Sequence, residues 1–486
     1  MAYNISQKLH DNLRAIRIAL DYQNSLPLSV EDVANLKKYS GFGGIKAILY
    51  PYGSQEEWQA NGATKEDLKH HGEMMQLHDL LKENFPETAY KEIIASLRNS
   101  VLTAFYTPEV VPQTLYSVLS TQRIQPKRLY EPSAGSGVFI SEAVITFPDL
   151  EQITAVEKDR LTGLVLSAIN SSLSIKTDTH IIGFEEAPVK DNGNYDLVVS
   201  NIPFGNFSVY DEDFPDKELS GKIHNYFFAK GLDKLAEGGL MAFITTDAFL
   251  NSPSNHTARQ YLFERAGFVS LTVMPDNLMK DTGNTEAPSH LLVVQKHEAK
   301  EQLSDSEQLL IDTVELKNEF GSYHQNLYLF NHKEAIIGNQ IKPGKNQYGQ
   351  AHETVWQDGD INQIRDSLHA SLTHQFQKRF NAELYIKAQT VAVPAPENEG
   401  KKLTYLPMPE NKTETASVQL GLFDTAPAEQ INRAMAYITP LDETIVQKTT
   451  GRIIGTVRTT DKPSHENVVL LTAKQHKSNR YLYKLY

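Results

Sequence analysis

The sequence predicts an α/β fold: a parallel sheet with helices on both faces, between a helical N-terminal region and a C-terminal accessory region. Three observations predict it. Between Val101 and Glu298, short apolar runs alternate with stretches of helical periodicity, as in strand–helix–strand units. Before residue 100, apolar residues recur every three or four positions without such runs. After Thr390 the chain turns to Pro, Glu, Thr and Ala, with few residues of the kind that cores bury.

Residues 1–100 form the predicted helical region, with clear periodicity at Leu68–Lys82 and Tyr90–Arg98. The glycine-rich turn Tyr39-Ser40-Gly41-Phe42-Gly43-Gly44 interrupts it, and without a following Gly-Lys-Ser/Thr it is not a nucleotide P-loop. His70, His71 and His78 share a helix and are expected on its solvated face; no metal site is expected. Residues 101–298 form the sheet domain. Strands are predicted at Lys127–Glu131, Gln152–Glu157, His180–Phe184, Tyr195–Ser200, Gly239–Thr245, Phe268–Met274 and His290–Lys296. Helices are predicted at Val138–Phe147, Leu161–Ser172, His224–Ala236 and Ser254–Ala266. Ligands of such sheets bind at the carboxyl ends of the strands.

Residues 299–389 read as an α/β accessory region, with a turn-rich stretch Lys342-Pro343-Gly344-Lys345-Asn346 and a helix near Ile361–Arg379. Residues 390–430 read as a flexible linker. Residues 431–486 read as a basic β-rich segment with strands at Gly451–Thr459, Asn467–Thr472 and Tyr481–Tyr486. The sequence stops inside the last of these, so the chain is expected to be the front part of a longer protein.

Composition narrows the chemistry. The 486 residues include no cysteine, which excludes disulfides, cysteine-bearing zinc sites and thiol nucleophiles. The first 20 residues lack a signal-peptide core, and no run approaches the ~20 apolar residues of a membrane span. The expectation is a soluble, cytoplasmic monomer that does not meet the membrane. A net charge of -13 argues against an evenly basic nucleic-acid coat. Residues 431–486 nevertheless carry nine Lys/Arg against four Asp/Glu. Arg452, Arg458, Lys474, Lys477 and Arg480 are the candidates for reaching DNA phosphates; a merely solvated β surface is the competing explanation.

Chemistry-bearing residues gather at strand ends. Leu129-Tyr130-Glu131-Pro132-Ser133-Ala134-Gly135-Ser136-Gly137 closes one strand and opens a helix, and Gly135 and Gly137 permit a tight turn that a ligand can approach. Such a turn alone is equally a plain connection. The next strand ends in Glu157, which can accept hydrogen bonds from both hydroxyls of a ribose, or else cap a helix. A third strand delivers Asn201-Ile202-Pro203-Phe204. An exocyclic amine on a base is a poor nucleophile because its lone pair is delocalised. Two acceptors aimed at its hydrogens, the Asn201 side chain and the Ile202 carbonyl, would free that pair. Pro203 keeps Ile202 extended, and Phe204 offers a face for a base turned out of its stack.

These residues resemble the gamma-class amino-methyltransferases, in which the cofactor loop precedes an Asn/Asp-Pro-Pro-Tyr/Phe motif. The resemblance spans about Val101 to Lys296 and implies a Rossmann-like sheet, S-adenosylmethionine as cofactor and adenine N6 in double-stranded DNA as target. It assigns Tyr106, Thr107 and Pro108, with Phe105 before them, to the methionine end of the cofactor. Glu131, Pro132, Ala134, Gly135, Gly137, Glu157 and Phe184 fall to the rest of the cofactor, and Asn201, Ile202, Pro203 and Phe204 to catalysis. His224–Phe228, Leu235–Asp247 and Pro288–Lys296 resemble later motifs of the class. Ile202 departs from the usual first proline. Gly183 stands where the class has an acidic residue for the cofactor's adenine amine, with Glu185 as the candidate substitute. Tyr39–Gly44 and Asn331–Gly338 resemble large methylases of phages and conjugative elements, which carry a helicase beyond the methylase. In the linker, Gln419, Leu420, Leu422 and Phe423 resemble a peptide that docks on the bacterial DNA sliding clamp; alternatively they pin the linker to its own domain.

Cytosine C5 methylation is excluded by the absence of cysteine. Cytosine N4, RNA and protein-glutamine methylation, and a catalytically silent DNA-binding or anti-restriction module, remain as alternatives.

Overall fold

A computed structural model describes residues 4–103, 106–283, 285–346 and 349–389, with the two-residue strands Tyr437–Ile438 and Val469–Leu470. Two compact units divide at 394/395. The first is built on a seven-stranded sheet of β1 (Arg128–Glu131), β2 (Gln152–Val156), β3 (Lys176–His180), β4 (Tyr195–Asn201), β5 (Leu235–Thr246), β6 (Ala266–Met274) and β7 (Ser289–Lys296). Their order is β3-β2-β1-β4-β5-β7-β6, parallel except that β7 runs against both β5 and β6. The first five positions follow the Rossmann order, and the reversed β7 is inserted before the last strand. β4, β5 and β7 are near-continuous apolar runs because helices cover both faces of the sheet.

One face packs under the helices Val110–Thr121, Val138–Thr146 and Ile364–Arg379, and the other under Ile223–Lys234 and His256–Arg265. A third core joins the N-terminal helices, led by Ile5–Gln23, to the helix Arg160–Ser171. The helix Ile364–Arg379, from the predicted accessory region, completes the sheet's outer edge. The amide of Gln375 accepts from the Leu271 N–H and donates to the Leu271 carbonyl, both at 3.0 Å, as a neighbouring strand would. Gly238, at φ 89°, is required where the chain passes the helix Ala382–Gln389: a Cβ there would lie 1.9 Å from the Leu384 carbonyl oxygen. Arg259, fully buried, donates to the carbonyls of Phe249, Ser252 and Ile311 and so staples three segments together.

Three expectations are corrected. The strand expected at His180–Phe184 lies at Lys176–His180, and Phe184 opens a 3-10 turn. Lys-Thr-Asp-Thr-His carries no apolar signal because β3 is an edge strand, exposed or half-buried along its length. Lys342–Lys345 is not a turn but part of β10 (Gln340–Lys345), which pairs with β11 (Ala351–Trp356) beside a second ribbon of β8 (Thr313–Asn318) and β9 (Gly321–Asn326). Pro343 is tolerated because a two-stranded ribbon leaves one side of each strand unpaired. His70 and His78 are buried rather than solvated; His70 lies at a break between the helices Lys65–Lys69 and His71–Asn84, and His78 lies within the second of them. His78 shares a 2.8 Å hydrogen bond with the Tyr90 hydroxyl, and burial lowers its pKa to about 4, leaving it neutral.

Among the described residues no His/Asp/Glu group is arranged to hold a metal, and no helix is long and apolar enough to cross a membrane. Val469–Leu470 falls within the strand expected at Asn467–Thr472. The strands expected at 451–459 and 481–486, the five basic candidates and the Gln419–Phe423 peptide lie outside the described residues.

Candidate active site

The carboxyl ends of β1, β2 and β4 bring the motif residues together. After β1 the chain turns through Gly135 (φ 54°) and Gly137 (φ 81°), left-handed conformations that favour glycine. At Gly137 the close packing is internal, since a Cβ would meet the Leu166 side chain at 2.8 Å. At Gly135 a Cβ would meet only the Tyr106 ring, at an ordinary 3.4 Å, so the backbone there is the more open of the two. The Ala134 N–H donates to the Val156 carbonyl and holds the turn on the end of β2.

Glu157 follows β2. Its carboxylate accepts from the N–H groups of Gly135 at 2.8 Å and Asp159 at 2.7 Å. Asp159, not Glu157, caps the helix Arg160–Ser171 by accepting from the Thr162 N–H. Burial, with Asp159 nearby, raises the Glu157 pKa to about 7. Glu131 is 1% exposed; burial and then Glu157 push its pKa well above the usual carboxylate range, and its Oε2 has no hydrogen-bond partner among the described residues. Two buried carboxyl groups thus sit beside the glycine turn, with accepting capacity to spare.

Phe184 lies 3% exposed among Tyr130, Tyr226 and Phe227. A Cβ on Gly183 would fall 2.4 to 2.5 Å from the Glu185 carboxyl atoms, so that group fills the space a side chain at 183 would enter. Lys158 holds it at 2.7 Å.

Thr107 is buried, and Tyr106 is seated on the N-terminal region. Its ring meets Tyr39 edge-on at 6.4 Å and lies against Gly41 (φ 63°), where a Cβ would come within 2.5 Å of it. The buried Asn12 clamps that glycine turn, donating to the Gly41 carbonyl at 2.7 Å and accepting from the Ser40 N–H at 3.0 Å. The Tyr39 hydroxyl shares a 3.0 Å hydrogen bond with that of Thr162. The glycine turn was visible in the sequence; Asn12 left no signal, because a buried asparagine reads as part of a polar helix face.

Asn201 ends β4. The Ile202 N–H donates to the Ile244 carbonyl at 3.0 Å, which fixes the start of Asn-Ile-Pro-Phe on β5. Ile202 and Phe204 are 1% and 8% exposed, on opposite sides of the sheet. Sequence reasoning missed the segment from Pro275 to Pro288, between β6 and β7. Met279 Sδ lies 4.0 Å from Asn201 Nδ2, and the Thr282 hydroxyl donates to the Tyr106 carbonyl. Lys8 donates to the Thr282 carbonyl at 2.6 Å, and burial lowers the Lys8 pKa to about 8. The segment therefore links the Asn201 and Tyr106 sides, and no local pattern announces it. A small, partly open pocket of about 30 Å³ lies apart from the glycine turn and Asn201, between the tips of β5 and β7 and the two ribbons, lined among others by Asp247, Asp276, His290 and His352.

A family model described as N-6 DNA Methylase matches residues 88–358, more than half of the sequence. The chain belongs to the N-6 DNA Methylase family. Membership brings S-adenosylmethionine as cofactor, and the residues suit it: unsatisfied buried carboxyl oxygen beside open glycine backbone, an aromatic ring, and a carboxylate over Gly183.

Over 203 residues, 41% of this family member, the chain is 27% identical to the Defense against restriction protein B of Escherichia phage P1 and covers 8% of that protein. It is 28% identical over 187 residues to the type II methyltransferase M.XamI of Xanthomonas campestris pv. amaranthicola, covering 35% of each. The chain thus spans well under half the length of these relatives. Among solved structures, the methyltransferase subunit of a type I restriction-modification system from Streptococcus thermophilus aligns at a TM-score of 0.37 and 16% identity, over 78% of this chain and 82% of that one.

Proposed function

We propose that the chain transfers the methyl group of S-adenosylmethionine to the N6 amine of adenine in double-stranded DNA, with the target base turned out of the helix. The observation that carries this reading is the Asn201–Phe204 turn at the tip of β4, beside the glycine turn and Glu157. Bound there, S-adenosylmethionine supplies an electrophilic sulfonium methyl. Glu157 would accept from the ribose hydroxyls with Glu131 beside it, and Glu185 would accept from the cofactor's adenine amine beside Phe184. Tyr106, Thr107 and Pro108 cover the methionine end, and Pro132 and Ala134 shape the turn through Gly135 and Gly137.

Asn201 Oδ1 and the Ile202 carbonyl accept the two hydrogens of the target amine, drawing its nitrogen toward tetrahedral geometry. Pro203 keeps the Ile202 carbonyl fixed. Phe204 stacks on the base. The amine nitrogen would take the methyl as that carbon's bond to sulfur breaks, and one amine proton would leave to solvent. No strong base is needed, and positioning does the work.

The test is methyl transfer from labelled S-adenosylmethionine to unmethylated duplex DNA, followed by digestion to nucleosides. N6-methyladenine is the expected product. N4-methylcytosine, or label in RNA or protein instead, would replace the reading. The similarity to the phage P1 protein favours a second reading, an anti-restriction module that binds without turning over; cofactor and DNA binding with no transfer would select it.

A further inference from the structure

Nine residues beyond Asn201, the loop leaving the site holds a tyrosine ring in water. Tyr210 is 82% exposed, yet the chain is fixed on both sides of it. Val209 packs against the core that contains Ile202 and Phe184, and its N–H donates to the Ser220 carbonyl at 2.9 Å. Asp211 is 7% exposed; its carboxylate accepts from the Tyr226 hydroxyl and, at 2.6 Å, from the Lys230 ammonium. Lys230 also reaches the Glu185 carbonyl at 3.2 Å, which ties the stem of the loop to the chain beside Phe184. Phe207, three residues earlier, folds back onto the same core. Tyr210 does not, although the anchors on either side of it would hold its backbone in place whichever way the ring pointed.

We propose that Tyr210 enters the DNA stack at the target base pair and fills the space left by the rotated base. The inference rests on the DNA-methylation reading of the site. Turning a base out costs its stacking and pairing. An aromatic ring recovers part of that cost by stacking on the bases left exposed, and it does so for any sequence because every base has a π face. The loop has little else to offer a duplex. Asp211 is neutralised by Lys230, while the side chains of Glu212 and Asp213 repel phosphates. The loop begins directly after Phe204, so the ring that stacks on the extruded base and the ring that replaces it share one short segment.

The test compares wild type, Tyr210→Ala and Tyr210→Trp on a duplex that wild type methylates, and on the same duplex with the target adenine opposite an abasic site. Tyr210→Ala should lower kcat/KM on the paired duplex about 5- to 150-fold, the range that removal of one stacked ring produces. Cofactor affinity and Tm should stay at wild-type values. The abasic partner, which removes the pairing cost in advance, should bring Tyr210→Ala back to within about threefold of wild type. Tyr210→Trp should stay active on both. Full activity of Tyr210→Ala on the paired duplex overturns the proposal, and so does an equal deficit on both duplexes, which would mean a general role in holding DNA. If wild type transfers no methyl to any DNA, the reading of the site falls and takes this inference with it.

Discussion

Glu157 is a carboxyl group poised to titrate near neutrality, because burial raises its pKa to about 7. In the proposed complex ribose hydroxyls donate to the ionised form, so bound cofactor would lower that pKa. The sign follows: affinity is complete above pH 7 and weakens as pH falls through 7, by at most about tenfold per pH unit. Calorimetry between about pH 5.5 and 8.5 reads this slope, and Glu157→Gln should flatten it. A slope that survives the substitution would place the titrating group elsewhere, with Glu131 the next candidate. Asn201 makes the opposite prediction, since its proposed partner is the target base. Asn201→Ala should cut methyl transfer by about 10²–10³-fold, the scale of removing one preorganised hydrogen-bond partner. Its cofactor affinity should change less than about twofold. Parallel losses of rate and affinity would show that Asn201 supports the fold of the site rather than the amine.

Among the elements, the glycine turn at 39–44 has the most direct hold on the site. Gly41→Ala would force a Cβ to within 2.5 Å of the Tyr106 ring at a positive φ. The expected cost is about 1–3 kcal/mol of stability, visible in Tm, together with weaker cofactor binding as Tyr106 shifts. A lower Tm with unchanged affinity would reduce the turn to scaffold. The central strands could be read from the sequence because β4, β5 and β7 are buried on both faces and each carries an apolar run, at Leu197–Val199, Leu240–Ile244 and Leu291–Val294. β3 could not, because an edge strand can be built from Lys176-Thr177-Asp178-Thr179-His180. Of the site, the glycine turn after β1, Glu157 and Asn201–Phe204 were legible because each immediately follows an apolar strand. Asn12, Lys8 and Thr282 were not. Their partners lie 28 to 274 residues away and are mostly backbone carbonyls, which leave no trace in residue type.

At the scale of the molecule, the proposed binding of DNA by a chain of net charge -13 requires a local source of attraction. Residues 431–486 are the basic exception, and Arg452, Arg458, Lys474, Lys477 and Arg480 are proposed to meet phosphates there. Deleting 431–486 should flatten the plot of log affinity against log salt, by up to about 0.9 for each phosphate that is no longer neutralised. An unchanged slope would move the phosphate-binding surface to the residues around Asn201. A peptide spanning Gln419–Phe423 should bind a bacterial sliding clamp with a Kd of about 1 μM. Leu422→Ala with Phe423→Ala should abolish that binding and leave methylation of short duplexes unchanged. Clamp binding that survives the double change would refute the assignment of those two anchors.

The seat of Tyr106 on Gly41 also bears on how such genes can recombine. A crossover near residue 100 would pass on the glycine turn after β1, Glu157 and Asn201–Phe204 intact, and by motif alone the descendant would count as complete. It would nevertheless pair Tyr106 with a foreign glycine turn and Thr282 with a foreign lysine. Functional hybrids should therefore inherit the first fifty residues and the sheet from the same parent.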